Sequence, residues 1–305
     1  MLSFALRRML IAATVALTVS VAGFLLLHLS GDLAVAIAGP EASQQRVAEI
    51  RAQYGLDRPL ALQYWDWLWA ALHLDFGRSY YFREQVSTLI AARFPVTLLL
   101  GTVSLGLALF IAIPLGVLAA VHKGAFIDRA ALFVCTLGQA MPSFWLSLML
   151  VSLFSVTLRW LPVSGNTTWR HFVLPATALG FYAMPAVMRL TRACMLDVLS
   201  ADYIRTARAK GLAPRKIMVR HALRNAIVPV VALAAVQFGF LLGGSIVIEA
   251  VFSLQGLGQL AWDSIARNDF PVVQSVVLVL AVIYIALTLA ADLLNAFLDP
   301  RLRFS

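Results

Sequence analysis

The stretch DVLSADYIRTARAKGLAPRKIMVRHALRNAIVP, residues 197–229, is the longest charged run in a chain that is 61% hydrophobic. It lies between two apolar segments that are each long enough to cross a bilayer as a helix. Apolar or small residues recur at every third position from Ala201 to Ala207, which predicts a short amphipathic helix. Gly211 suits a left-handed helix stop, and Pro214 suits the first turn of a following helix. The stretch therefore predicts a pair of short helices on the cytoplasmic face.

The second of these helices carries a row of positive charge. Lys216, Arg220 and Arg224 follow one another at four-residue intervals, so they lie on one side of a helix. Like charges at this spacing repel by a few tenths of a kcal/mol per pair, so helix stability does not favour the pattern. An anionic neighbour is implied. That neighbour is either a partner protein or anionic lipid, and charge sorting across the membrane produces the same pattern.

The whole-chain totals exclude an ordinary soluble protein. Only 13% of the 305 residues are charged and the mean hydropathy is +0.85, whereas soluble domains carry about 25% charged residues. Strand-type alternation is absent, so helices must satisfy the backbone within the bilayer. The sequence predicts an all-α polytopic membrane protein. The six predicted transmembrane helices are Met9–Leu29, Pro95–Val121, Ala130–Leu158, Phe172–Leu190, Pro229–Ile248 and Pro271–Leu294.

The net charge of +9 is unevenly distributed and predicts the topology. An amino terminus on the inside places most lysines and arginines in the cytoplasm, which predicts that both termini are cytoplasmic. Residues 1–30 form an uncleaved first span, because their apolar run is longer than that of a signal peptide. Residues 31–94 form an extracytoplasmic segment. Residues 95–305 form a five-helix core, whose cytoplasmic helices occupy 195–228.

The extracytoplasmic segment is rich in aromatic residues that suit the headgroup layer, where a ring meets both apolar and wet surroundings. One interpretation is an interfacial anchor, and the other is a rim that helps to receive a soluble substrate-delivery protein. The residues concerned are Tyr64, Trp65, Trp67, Trp69, Tyr80 and Tyr81.

Polar residues within the spans are candidates for a translocation path. Gln139, Pro142 and Ser143 lie in the third span, where proline predicts a kink. A glutamine beside a kink either faces a cavity or makes a hydrogen bond between helices, and both alternatives remain open. Tyr182 and Gln237 are further polar positions in later spans.

The motifs of other function classes are missing from the sequence. It has no phosphate-binding loop, no HExxH and no GxSxG, and its five histidines lack metal-ligand spacing, so we expect neither catalytic nor metal-binding residues. A self-sufficient secondary transporter or channel is one interpretation of such a chain. It is disfavoured because Glu249, Asp292 and Asp299 lie near span ends, where we expect Glu249 to be interfacial.

The charged stretch resembles the coupling loop of the integral membrane subunits of bacterial ABC importers, specifically the dipeptide/oligopeptide/nickel permease family. Ala207, Gly211 and Leu223 match the general pattern of these loops, whereas Arg205 and Arg224 replace its Glu and Pro. The resemblance covers nearly the whole chain in order. Other similar segments are GDLA (31–34), YGLDRPLALQY (54–64), DFGRS (75–79), MPSFWL (141–146), IEAVFSLQGLGQL (248–260), NDFPVVQ (268–274) and DPRLRF (299–304).

The resemblance implies a type I ABC importer permease fold in the bacterial inner membrane. It also implies a second homologous permease, two cytoplasmic ATPases that bind ATP and magnesium, and an extracytoplasmic binding protein. The chain would then contact membrane lipid and no nucleic acid, hold no cofactor of its own, and carry peptides, glutathione, nickel chelates or related solutes. The residues expected to contact the ATPase are Asp202, Tyr203, Arg205, Thr206, Ala207, Lys210, Gly211, Arg215, Arg220, His221 and Arg224.

Overall fold

The computed structural model describes residues 2–29, 32–39 and 42–298. The closing DPRLRF segment and Gly31 of the GDLA segment lie outside the described residues. Within the described ranges the chain is helical apart from turns and one isolated β-bridge between Arg78 and Gln85, which confirms the all-α prediction. The helices are α1 (Leu2–Leu29), α2 (Leu33–Ala38), α3 (Gln44–Gln53), α4 (Leu60–Leu72), α5 (Val86–Val121), α6 (Phe126–Ala140), α7 (Ser143–Leu150), α8 (Arg170–Ser200), α9 (Asp202–Ala209), α10 (Pro214–Lys216), α11 (Arg224–Phe252), α12 (Leu257–Ala266) and α13 (Phe270–Leu298).

Five helical segments of the described chain are long and apolar enough to cross a membrane, and a sixth is formed if the bent pair α6–α7 counts as one span. They correspond to the six predicted spans. Most of them extend beyond the predicted limits, because hydropathy marks the lipid-embedded part and the helix continues past it. Thus α5 already begins at Val86, inside the predicted extracytoplasmic segment, and α8 continues to Ser200.

The third span is broken rather than kinked. The axes of Phe126–Ala140 and Ser143–Thr157 differ by 102°. The bend at Pro142 is therefore much larger than the predicted kink within one helix. Met141 has an extended backbone, with φ −84° and ψ 126°, because a residue that precedes proline is pushed out of the helical region. Pro142 is the residue just before α7, where its missing N–H costs little.

The second cytoplasmic helix is not a separate short helix, which corrects the predicted pair. From Pro214 the chain is helical without interruption to Phe252. A π-helical segment, Ile217–Leu223, joins α10 to α11. The basic residues therefore lie at the amino-terminal end of a membrane span, and α9 precedes that span as a separate short helix.

Helix α8 is the centre of the bundle and contacts α5, α6, α7 and α11. Glycines permit its close approach to α5. A Cβ at Gly180 would lie 2.7 Å from the Ser104 carbonyl oxygen, and one at Gly116 would lie 2.8 Å from that of Met188. Helices α1 and α13 pack together beside this core.

Candidate functional site

Helix α9 rests on the ends of the membrane spans through an apolar seat. Its two inward residues, Ile204 and Ala207, are 0% and 7% exposed, as their three-residue spacing predicted. The seat joins α9 to the ends of α5 and α8 and to the start of the Pro214–Phe252 span. Helix α9 therefore packs against the ends of three membrane helices at once. The other buried members of the seat are Ala120, Met195, Ile217, Ala222 and Ala226.

The opposite face of α9 is open to solvent. The side chains of Asp202 and Arg205 are 96% and 78% exposed and form an ion pair at 3.6 Å. Thr206 and Lys210 are also exposed. The hydroxyl of Tyr203, which is also exposed, accepts a hydrogen bond at 2.9 Å from the Asn225 side chain on α11.

The turn after α9 has the predicted geometry. Gly211 has a φ of +72°, a left-handed conformation that glycine adopts without a steric penalty. Its N–H donates to the Arg208 carbonyl, and the Leu212 N–H donates to that of Ala207. Pro214 occupies the first turn of α10. This turn directs the chain from α9 into the next span.

The basic residues after the turn remain on the surface, although the π-helical segment changes the predicted spacing. Arg215, Lys216, Arg220 and Arg224 are exposed, and His221 is half-buried. The structure thus exposes most of the residues predicted to contact the ATPase in one segment of the chain, with Ala207 buried beneath α9 in the seat. We call this surface, formed by the exposed residues of Asp202–Arg224, the coupling surface.

An ion pair near the coupling surface was not predicted. Asp128 at the start of α6 is 3% exposed and accepts hydrogen bonds from Nε and Nη2 of Arg192 at 2.6 and 2.8 Å. The Gly124 N–H donates to the same carboxylate at 2.8 Å. This pair fixes the α5–α6 loop to α8. The sequence did not indicate this ion pair, because its two residues are 64 positions apart.

The candidate path residues lie around α8, but not as one group. The Arg189 Nη1 of α8 donates to the Gln139 Oε1 at 2.8 Å. Gln237 of α11 donates weakly, at 3.5 Å, to the Ala183 carbonyl, while the neighbouring Tyr182 is exposed. Pro142 and Ser143 lie beyond Gln139 at the break between α6 and α7, and Pro142 is exposed.

Glu249 is buried, which contradicts the expectation of an interfacial residue. It is 0% exposed and accepts hydrogen bonds from Thr97 of α5 at 2.8 Å and from Ser245 of α11 at 3.0 Å. The backbone N–H of Gln259 donates to it at 3.1 Å. Glu249 therefore caps the amino terminus of α12, where the helix dipole favours a carboxyl group. It joins three helices at the end opposite the coupling surface.

Asp269 makes a second buried carboxyl contact at the same end. It is 0% exposed and accepts hydrogen bonds from the Ser79 hydroxyl and from the backbone N–H groups of Tyr80 and Tyr81. Burial, Tyr54 and Asp269, in that order of size, raise the pKa of the Tyr80 hydroxyl. The contact anchors the DFGRS segment to the start of α13.

Helix α4 packs on the same side against α1. The Tyr64 hydroxyl and the Ser20 hydroxyl are 2.7 Å apart, and the rings of Tyr64 and Phe24 meet edge to face at 5.4 Å. Trp65 and Trp69 are exposed. A cavity of about 780 Å³ separates these helices from the start of α13.

The described residues contain no cluster of three His, Cys, Asp or Glu side chains that could hold a metal ion. The polar groups of the site instead contact other helices or face solvent at the coupling surface. The arrangement can transmit movement.

Comparison with known proteins assigns the family. Residues 112–304 match the family described as binding-protein-dependent transport system inner membrane component, and residues 1–101 match its amino-terminal counterpart. The glutathione transport system permease protein GsiC of Salmonella choleraesuis (strain SC-B67) is 43% identical over 100% of both chains. GsiC of Escherichia coli (strain K12) is 42% identical, again over the full length of both chains.

A solved structure supports the fold. An inward-facing form of the MetNI methionine ABC transporter aligns with a TM-score of 0.58 and 22% identity, over 69% of this chain and 96% of the other. The resemblance to the dipeptide/oligopeptide/nickel permease family is thereby confirmed. The chain belongs to the binding-protein-dependent transport system inner membrane components, and it is a multi-pass permease subunit of an ABC importer whose ATPase and substrate-binding protein are separate chains.

Proposed function

We propose that this subunit forms the translocation path for peptides or a related peptide-like solute, and that ATPase movement reaches the path through α9. The observation that carries the proposal is the apolar seat. A short helix with a fully buried Ile204 and a charged outer face rests on the ends of three spans. An amphipathic helix held in a groove of a partner transmits a rigid-body movement of that partner.

The coupling surface supports one ATPase subunit as the partner of this chain. We infer a second ATPase subunit on a second homologous permease. The ATP and magnesium belong to those ATPases. The exposed cations at Arg215, Arg220 and Arg224 offer charged hydrogen bonds to an acidic surface. We infer direct contact by Asp202 and Arg205, and a supporting role for the buried Ala207.

Membrane lipid is the second class of partner. Leu10, Leu17 and Leu26 on α1 are exposed apolar side chains, as expected for a helix at the lipid boundary. On α13, Val277, Val282 and Leu293 are exposed in the same way.

We infer that both chain ends face the cytoplasm. Arg8 of α1 pairs with Asp292 of α13 at 2.9 Å, which places the first and last helices with their terminal ends together. The positive charge of the coupling surface supports a cytoplasmic location for that side.

A peptide-like substrate is supported by the relatives, whose names specify glutathione transport. The choice among peptides, glutathione and chelated nickel depends on the separate binding protein as well. No residue of this chain is proposed to bind a metal.

Charge reversal at Arg220 tests the proposal. In proteoliposomes that contain the co-purified complex, Arg220→Glu should reduce ATP-dependent glutathione uptake severalfold, because an acidic surface would then be repelled. Arg129→Glu is the matched control, since Arg129 is exposed at the start of α6 and lies outside the coupling surface. Normal uptake by Arg220→Glu would contradict the coupling role. Uptake by vesicles that hold this chain without any ATPase would instead support a secondary transporter.

A further inference from the structure

The cavity of about 780 Å³ beside α3 and α4 lies where two membrane spans end. The span of α1 runs from Leu6 to Leu26, and that of α13 begins at Phe270. Phe24 and His28 of α1 line the cavity, and so does Phe270. Because the end of an apolar span marks the boundary between hydrocarbon and headgroups, the cavity lies at headgroup depth.

The two spans that border the cavity are the ones most open to lipid. Among the five unbroken spans of the described chain, α1 and α13 have the smallest buried shares of their apolar windows, 11% and 17%. No described residue of α8, the centre of the bundle, lines the cavity. The cavity is therefore separate from a route that follows α8, whereas lipid surrounds the helices that border it.

The wall of the cavity carries an excess of positive charge, because four arginines and two aspartates line it. Arg58 is paired with Asp66, and Arg46 is paired with Glu49. The second aspartate, Asp75, accepts a hydrogen bond at 3.0 Å from a backbone N–H. The other two arginines form no ion pair with a carboxylate of the described residues.

These two arginines, Arg78 and Arg83, lie in the turn before α5. The Arg78 Nε donates to the Arg83 carbonyl at 2.9 Å. This bond orients the Arg78 guanidinium and leaves its two terminal nitrogens available. A guanidinium with free donors matches a phosphate group, which accepts two parallel hydrogen bonds from it. The turn thus presents two cations that suit an anionic headgroup.

A buried donor and an apolar wall complete the cavity. The Nε2 of Gln274 on α13 is buried and has no hydrogen-bond partner in the described chain. A buried amide without an acceptor lowers stability, so native structures pair such groups. The ester or phosphate oxygens of an occupant would supply the acceptor. Phe24, Trp67 and Phe270 form an apolar wall that suits an acyl chain.

We propose that this cavity binds an anionic phospholipid, with its phosphate at Arg78 and Arg83 and its acyl chains against α1 and α13. A phospholipid fits better than a water-soluble anion because cationic and apolar walls meet here at headgroup depth. The volume falls within the range of about 300–1,000 Å³ that small-molecule sites occupy. The proposal rests on the lipid contact proposed above and names the lipid class and its site.

The test measures lipid binding to the whole importer, purified in detergent, by native mass spectrometry. The probes are phosphatidylglycerol, phosphatidylcholine with the same acyl chains, and glycerol 3-phosphate, which carries the phosphate without acyl chains. The unmodified complex should prefer phosphatidylglycerol, because the choline cation is repelled, and glycerol 3-phosphate should not displace the lipid. Arg78→Gln combined with Arg83→Gln should lower the affinity for phosphatidylglycerol about tenfold, the size of one charged hydrogen bond. Lysine at both positions should keep most of the affinity.

A second variant fills the cavity and keeps both arginines. Ala70 of α4 lines the cavity, so Ala70→Trp should also remove the preference for phosphatidylglycerol. Arg159→Gln is the matched control, because Arg159 is exposed, has a positive φ of 55° like the 59° of Arg83, and does not line the cavity. ATP hydrolysis by each complex checks that the variants are assembled.

The proposal requires a loss of preference in both the arginine variant and Ala70→Trp, and an unchanged preference in either would overturn it. Displacement by glycerol 3-phosphate would overturn it in favour of a soluble anion. Equal binding of the two lipids by the unmodified complex would overturn it as well. Failure of the general lipid contact looks different, because the complex would then retain neither lipid.

Discussion

The two ends of the bundle use charge in opposite ways. At the end that carries α12, Glu249 and Asp269 are fully buried, and their hydrogen bonds come from hydroxyl and backbone groups of this chain. At the end that carries α9 the side chain of Asp202 is 96% exposed, and apolar contacts hold α9 in place. The first end satisfies its own polar groups. The second exposes its polar groups to solvent, where a partner can reach them.

Because of this difference, we expect the α12 end to be rigid and the α9 end to transmit movement. A carboxyl group that joins three helices resists their separation, because movement would leave buried donors without an acceptor. Apolar contacts lack that directional demand, so a helix on an apolar seat can shift with its neighbours. We therefore expect substitutions at the α12 end to reduce stability and those at the coupling surface to reduce transport.

Removal of the Glu249 carboxyl group should have the largest effect on stability. Glu249→Ala leaves the Thr97 hydroxyl and the amino-terminal N–H of α12 without their acceptor within the bundle, which should lower the free energy of unfolding by about 2–3 kcal/mol. Unfolding by SDS in mixed micelles measures this value. Glu249→Gln should lose less because an acceptor oxygen remains. Glu84→Ala removes an exposed carboxylate and should change stability little. A loss below about 1 kcal/mol in Glu249→Ala would refute the role given to this group.

A methyl group beside the same carboxyl should have the next largest effect. A Cβ at Gly256 would lie 2.3 Å from Oε2 of Glu249 and 2.5 Å from Oγ1 of Thr97. Gly256→Ala should therefore lower the free energy of unfolding by about 2 kcal/mol, as overpacking does in other cores. Gly243→Ala is the control, since a Cβ there meets no atom within 4 Å, and it should be neutral or stabilising. Equal effects of both substitutions would contradict the crowding argument.

The cytoplasmic half was the more predictable from the sequence. The three-residue period of α9 identified the buried Ile204, and the glycine and proline signals located the turn at Gly211 and Pro214. These are local patterns, which depend on residues a few positions apart. The continuity of the second helix with the Pro214–Phe252 span was missed, because hydropathy detects a span only where apolar residues dominate.

The α12 end was less predictable because its contacts join distant positions. Glu249 and Thr97 are 152 residues apart, and Ser79 and Asp269 are 190 apart. An acidic residue near the end of an apolar run has the same sequence signal whether it meets water or caps a neighbouring helix. The glycines at 256 and 258 were the available hint, since both leave room for the Glu249 carboxyl group.

At the coupling surface, Gly211→Ala should reduce stability less than Gly256→Ala does. It should reduce transport more. Gly211 has a φ of +72° and a Cβ would meet no atom within 4 Å, so the cost is backbone strain of about 1–2 kcal/mol. The strain changes the angle between α9 and the following span. We expect ATP-dependent uptake to fall severalfold while the chain still inserts. Gly211→Asn is the control, because asparagine tolerates this conformation better. Equal uptake by Gly211→Ala and the unmodified chain would show that the turn angle does not matter.

The smallest effect should come from Tyr203→Phe, which removes one polar link between α9 and α11. The Asn225 amide donates to the Tyr203 hydroxyl at 2.9 Å and also to the His221 carbonyl at 3.2 Å. Since the amide keeps its second acceptor and both side chains are exposed, the loss of stability should be about 0.5 kcal/mol. Ile204→Ala is the informative comparison, because it opens the seat itself and should cost about 2–4 kcal/mol. If Tyr203→Phe were the more damaging of the two, α9 would be held by its polar link and not by its apolar seat.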